Sequence, residues 1–514
     1  MLPDEYVDRL PELLARLRSS LSGAGIGNAT LSGSSSRTSA GAATGPSTGS
    51  GLQPDCLHVP EKKLDQALDT LIERLSRHYP FHEPFYAGQM LKPPHPAAWL
   101  AYALAMTINP NNHALDGGPE SSFMEKEAIQ LLVQMTGFPD QALGHLTSSG
   151  TIANLEALWV ARELHPDRPI TVSSQAHYTH QRMGQVLRHP VVTLPVDGDG
   201  LPDPSRLDSD GPLPGTVVVT LGTTGQGRVE PLHRILPWAR KHRVRIHVDA
   251  AYGGFFHLIR GTGLIDPEPW MALGDADSIV IDPHKHGLQP YGCGAVLFRD
   301  PAVGRFYRHD SPYTYFTSGD LHLGEISLEC SRAGSSAIAL WFTLQLLLPK
   351  TVLRSLSGTQ PGASGLTAAE GAEGAEEATK AAGVSAFPQI LMDCRLAALK
   401  LYDALEASDR YHPVMRPELD IVTWIPVTRV KSYSAVSKKT EQILRRGMDA
   451  GEQDRKLFLS TLSLARNDAA RLLPELEADQ KDVKVLRSVM MKPEHLGFVP
   501  EMMHRLHKLH DIRD

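Results

Sequence analysis

The chain reads as an α/β protein with a large, mostly parallel sheet and a smaller α+β unit after it. Three observations predict this. Between about 116 and 350, segments of helical period alternate with short runs rich in β-branched residues, the pattern of βαβ units. Two of those runs, 244–248 and 278–281, lead directly into residues that carry chemistry, Asp249 and Lys285. From about Phe387 the pattern changes to a long helix, one strand at 420–426 and mixed elements, marking a second unit.

Taken in order, 1–115 is expected to be an N-terminal helical arm, interrupted at 19–51 by a stretch of Ser, Gly, Ala and Thr. Such a composition buries too little surface to offset the entropy of ordering, so disorder is expected there. The large domain spans 116–350. Helices are predicted at 122–135, 151–164, 176–188 and 231–242. Strands are predicted at 169–173, 191–195, 216–221, 244–248, 278–281 and 294–298. The run Thr216-Val-Val-Val-Thr-Leu221 is continuously apolar or β-branched, as a strand covered on both faces requires. A second low-complexity insertion occupies 351–384, with room for a short Ala/Glu-rich helix, and the small domain fills 385–514.

Composition narrows the functional classes. At 514 residues and 41% hydrophobic, the chain has material for a large core. A formal net charge of −7 offers no electrostatic footprint for nucleic acid. No apolar run approaches the roughly 20 residues that cross a bilayer. The start, Met1-Leu-Pro-Asp-Glu, lacks the basic and apolar regions of a secretory signal. Cys56, Cys293, Cys330 and Cys394 are widely spaced, which suits reduced thiols better than a disulfide or zinc framework. The expectation is a cytoplasmic enzyme acting on a small molecule, without membrane or nucleic-acid partners.

The chemistry lies in two strand ends. His247-Val-Asp249-Ala-Ala251-Tyr follows one buried run, and Asp282-Pro-His284-Lys285-His follows another. Strand ends at the carboxyl edge of a parallel sheet are where open α/β proteins bind ligands. An amine able to form a Schiff base and an acid able to pair with a pyridinium nitrogen are what pyridoxal 5'-phosphate requires. Three further segments fit. Ser148-Ser149-Gly150-Thr151 opens a helix whose free N–H groups and dipole suit a phosphate, although an ordinary Ser/Thr cap explains it equally. In Gln175-Ala-His177, the imidazole could stack on a planar ring or simply begin a helix. Gly222-Thr-Thr224 could present hydroxyls to a ring substituent, or be a plain loop.

In this order the segments resemble the group II pyridoxal-phosphate decarboxylases, the family of aromatic amino acid, tyrosine and glutamate decarboxylases. The resemblance covers about 60–350 and, more weakly, the C-terminal domain. It implies the aspartate-aminotransferase-like fold type I and a homodimer with shared active sites. It also implies Lys285 as the Schiff-base lysine, Asp249 as partner of the ring nitrogen, and His177 as the stacking histidine with Ala251 on the opposite face. Ser149, Gly150 and Thr151, with His284, would hold the phosphate, and Thr224 would lie near the ring hydroxyl. Phe85-Tyr-Ala-Gly-Gln89 resembles a pocket-lining segment, with Gln89 and Asn111 as substrate contacts. Tyr313 and Tyr315 fall where the family often carries a proton-donating tyrosine on a loop after the lysine. Glu329-Cys-Ser-Arg332-Ala-Gly resembles a stretch of bacterial tyrosine decarboxylases, with Cys330 where glycine is usual.

The implied reaction is decarboxylation of an L-amino acid to its amine and CO2, with an aromatic substrate favoured. An acidic substrate is the first alternative, since Gln89 and Asn111 would suit a polar side chain. Aldehyde synthesis, transamination and retro-aldol cleavage use the same fold; transamination would need an arginine clamp such as Arg416 or Arg429. A metal centre on His284 and His286 would lack further ligands. An inactive binding protein built on the fold is the alternative of another class, against which the intact Lys285, Asp249 and His177 argue.

Overall fold

The computed structural model describes residues 4–23, 59–115, 117–194, 196–203, 212–308, 327–349, 386–451 and 455–511. Tyr313, Tyr315 and the 351–384 insertion lie outside them, as does all of 19–51 except its first five residues. Those five are helical, because the helix Asp4–Gly23 runs through them. Asp8–Phe81 form a unit of their own, containing the helix Glu61–Leu75. On that helix Leu64, Leu68, Leu71 and Leu75 make an exposed apolar stripe.

The larger unit is built on a seven-stranded sheet. Its strands are β1 (Leu143–Thr147), β2 (Ile170–Val172), β3 (Val191–Thr193), β4 (Thr216–Thr220), β5 (Arg245–Asp249), β6 (Ser278–Ile281) and β7 (Gly294–Phe298), in the order β1-β7-β6-β5-β4-β2-β3. From β6 through β3 every pair is parallel, and β7 is antiparallel to both β6 and β1. Two reversals cancel, so β1 runs the same way as β6. Six of the seven strands therefore deliver their C-terminal ends to one edge. Strands β4, β5, β6 and β7 are buried along their whole length, as central strands covered on both faces are. The helix Gly150–Leu164 covers one face through Ala153, Ala157 and Val160 against Val280, Val296 and Phe298.

A four-stranded antiparallel sheet follows, made of β8 (Tyr411–Pro413), β9 (Ile421–Pro426), β10 (Ser460–Ala465) and β11 (Asp482–Val489), ordered β10-β11-β9-β8. Helices Ala386–Glu406, Tyr433–Asp449 and His495–Asp511 pack with it. Among the described residues, no helix is long and apolar enough to cross a membrane.

Two buried groups fasten the sheets together. Asp420, just before β9, accepts from Tyr252 Oη at 2.7 Å and lies 3.0 Å from His286 Nε2. Arg487 of β11, 5% exposed, donates to the carbonyls of Gly88, Thr224 and Gly225 at 3.2, 2.7 and 2.8 Å.

Candidate active site

At the C-terminal edge of the large sheet, one cavity of about 190 Å³ is lined by Ser149, Gly150, Thr151, His177, Thr224, Asp249, Ala251, His284 and Lys285. Registration produces this convergence. Asp249 pairs with Thr220 of β4 and Val280 of β6, and Lys285 follows in the turn after β6. The parallel direction of β1 brings Gly150 to the same edge.

Ser149 caps the helix Gly150–Leu164, its hydroxyl accepting from the Ile152 N–H at 3.4 Å. The first-turn amides have no intrahelical acceptor, so those of Gly150 and Thr151 are available to an anion. Gly150 must lack a side chain: a Cβ there would meet Asp282 Oδ2 at 2.5 Å. Gly222 has φ +95°, a left-handed conformation, and turns the chain from β4 into the Thr223–Thr224 segment.

Asp249 is almost fully buried. Its Oδ2 lies 2.9 Å from His180 Nε2, and its Oδ1 accepts from the Ala251 N–H at 3.1 Å. Burial alone would raise this carboxyl, but the hydrogen bond and charge of His180, with Lys285 and His247 nearby, hold it well below the usual carboxylate range. His177 sits in the turn before the helix Thr179–Leu187 rather than inside it. The predicted helix start at 176 is displaced because Ser173 Oγ and Ser173 O hold a turn with the N–H groups of Gln175 and Ala176. The His177 ring is held by Thr179, whose N–H reaches Nδ1 at 3.3 Å. Burial, outweighing the nearby Asp249 carboxylate and helped by Lys285, lowers its basicity and favours the neutral imidazole. Lys285 Nζ forms an ion pair with Asp282 Oδ2 at 3.0 Å. His284 Nδ1 donates to the Cys293 carbonyl at 2.7 Å, which leaves its Nε2 as an acceptor.

Gln89 is exposed and Asn111 half-buried, and neither lines this cavity. Asn111 Oδ1 instead accepts from the Arg332 and His113 N–H groups, at 3.0 and 3.2 Å. Arg332 is paired with buried Glu125 at 2.6 Å. Four site-adjacent groups have no counterpart among the expectations: His180, Asp282, Glu230 and Arg487. Asp282 was legible in principle, three residues before the lysine in a strand-end turn. The other three reach the site only through pairing between distant segments.

The residues present fit a pyridoxal phosphate. The lysine amine, the charged acid, the imidazole and a helix N-terminus converge on one pocket, and at Gly150 no side chain covers the free amides of the first turn. Fold and site together define a pyridoxal-phosphate enzyme of fold type I. The chain belongs to the pyridoxal-dependent decarboxylase family, whose conserved domain matches residues 59–348. It is 28% identical over 411 residues to L-tyrosine decarboxylase of Enterococcus faecium, covering 60% of this chain and 66% of that one. It is 33% identical over 225 residues to L-2,4-diaminobutyrate decarboxylase of Rhizobium meliloti, covering 40% and 44%. These matches span less than two thirds of either relative's length. Catharanthus roseus tryptophan decarboxylase in complex with L-tryptophan has the same fold, with a TM-score of 0.66, 16% identity, and 88% of this chain and 89% of that one covered.

Proposed function

We propose that the protein decarboxylates an L-amino acid to its amine and CO2, with an aromatic side chain preferred. The observation that carries this reading is the convergence of Lys285, Asp249, His177 and the Gly150 helix start on one cavity. When bound, pyridoxal phosphate supplies a sink for the electrons left at Cα as CO2 departs. Lys285 would hold the cofactor through its amine. Asp249 keeps a proton on the ring nitrogen through a charge-assisted hydrogen bond, and His180 keeps Asp249 ionised for that task. His177 and Ala251 would lie against the ring, and the amides of Gly150 and Thr151 would hold the phosphate.

Asp282 gives the Lys285 ammonium a partner while the lysine is free of the cofactor. Protonation at Cα falls to Tyr313 or Tyr315, supplied across a homodimer boundary. The aromatic preference is supported by the relationship to a tyrosine decarboxylase, which spans more of this chain than the diaminobutyrate enzyme does. Transamination is disfavoured by the candidate clamps: Arg416 lines a different cavity, and Arg429 is exposed and lines neither.

The test is product analysis with added cofactor over tyrosine, dopa, tryptophan, phenylalanine, glutamate, aspartate, cysteine sulfinate and 2,4-diaminobutyrate. Amine and CO2 in equal amounts, fastest from an aromatic substrate, are expected. Keto acid without CO2, or aldehyde with ammonia, overturns the reaction; a faster acidic or diamino substrate overturns the preference. The visible band of lysine-bound pyridoxal should disappear in Lys285→Ala.

A further inference from the structure

We propose that a second cavity, separate from the cofactor pocket, is a binding site for a small organic anion, a carboxylate or a phosphate ester. It measures about 680 Å³ and, among the described residues, shares no lining residue with the first. Among the described residues three guanidinium groups line it: Arg234 from the helix Leu232–His242, Arg395 from the helix Ala386–Glu406, and Arg416 from the loop before β9.

Arg395 is the decisive group. It is 6% exposed, its Nε donates to the Leu264 carbonyl at 3.0 Å, and its Nη1 donates to the Leu419 carbonyl at 2.8 Å. Among the described residues its Nη2 has no acceptor and no carboxylate forms an ion pair with it. A buried guanidinium without a directly bonded carboxylate is costly, and a second cation beside it makes it costlier. Burial and then the neighbouring Arg416 push Arg395 down to about 10, against the opposing pull of the Asp420 and Glu418 carboxylates, which lie near without bonding to it. Arg416, itself largely exposed, lies over the Tyr402 ring at 5.3 Å and has a solvent-exposed contact with Asp403 at 3.8 Å, neither of which buries its charge. The Arg234 side chain has no hydrogen bond or ion pair with any described residue.

The acids on the wall are already engaged. Glu418 accepts from Arg228 Nε at 3.1 Å and the Val229 N–H at 2.6 Å. Asp266 caps the Glu268 N–H at 3.0 Å. His233 Nε2 is within 3.1 Å of Glu268. The cationic excess therefore belongs to the cavity, and planar guanidinium forks match carboxylate and phosphate oxygens. Leu264, Ile265 and Trp270 complete an apolar wall for a short carbon body.

The experiment titrates cofactor-loaded protein with inorganic phosphate, glycerol 3-phosphate and succinate, at ionic strength held constant with sodium chloride. Binding is read by calorimetry while the cofactor's visible band is followed. Saturable binding of at least one probe without change in the band is expected, and the preferred probe separates phosphate from carboxylate. In R234A/R416A the dissociation constant should rise at least tenfold; Arg395 is left intact because it also ties two carbonyls. No saturable binding, an unchanged constant in the double variant, or binding that bleaches the cofactor band each overturns the proposal. The last outcome would mean displacement at Gly150.

Discussion

His180 shows how much a single side chain can contribute to a site without touching a substrate. Its Nε2 lies 2.9 Å from Asp249, inside a region where water screens nothing. Burial would otherwise raise the Asp249 carboxyl, and a neutral acid there could not hold a proton on a ring nitrogen. A hydrogen bond to a charged group is worth about 1.5–3 kcal/mol, or about 10- to 100-fold in rate. His180→Ala should lower kcat by that order while the protein stays folded, and the loss should deepen as pH falls, because Asp249 then keeps its charge less firmly. Parallel kcat–pH profiles for variant and parent would refute this role. His180 was illegible in the sequence because 69 residues separate it from its partner. The strand-end pair Asp249 and Lys285, by contrast, declared itself through residue type and the runs before it.

Among the elements, the parallel strands were the most legible. Strands β6 and β7 begin and end where their apolar runs do, since a strand buried on both faces has no polar positions to blur its limits. Strand β1 had no such signal: Leu143-Gly-His-Leu-Thr carries two apolar residues and a glycine, and only its pairing with β7 makes it a strand. Its glycine is required by the packing, for a Cβ on Gly144 would meet Leu297 Cδ2 at 2.6 Å. The loop Gly222–Gly225 was equally open on sequence, and its shape depends on Arg487, whose guanidinium takes the Thr224 and Gly225 carbonyls. Arg487→Ala should destabilise the protein by roughly 3 kcal/mol, as loss of a buried, fully used donor does. It should also raise the cofactor dissociation constant at least tenfold, measured by dialysis and the visible band. Cofactor retention unchanged in a destabilised variant would confine Arg487 to stability alone.

For the whole molecule, the response to pH depends on buried acids. Glu230, 1% exposed, accepts from Ser173 Oγ and from the Thr220 N–H at 2.7 Å. Burial, outweighing these hydrogen bonds and reinforced by Asp249, pushes its carboxyl from 4.5 up to about 7. Between those values the native state holds a proton that the unfolded chain releases, so stability from this group falls as pH rises through the window. The difference amounts to roughly 3 kcal/mol. Glu230→Gln removes it, so the variant should gain on the parent between pH 5 and pH 7.5 in urea midpoints. A constant difference between the two would exclude Glu230 as the titrating group.

The distances spanned by Arg487 also bear on the order in which this molecule is assembled. It joins residues 262, 263 and 399 positions away along the chain, so its contacts close loops far longer than any within the large sheet. The seven-stranded layer pairs no segments further apart than Leu143 and Phe298, whereas the lip beside Thr224 must wait for β11. Affinity for the cofactor is thus acquired at the end of folding, and a partly folded chain has its lysine and aspartate in register before it has the rim that keeps a ligand in.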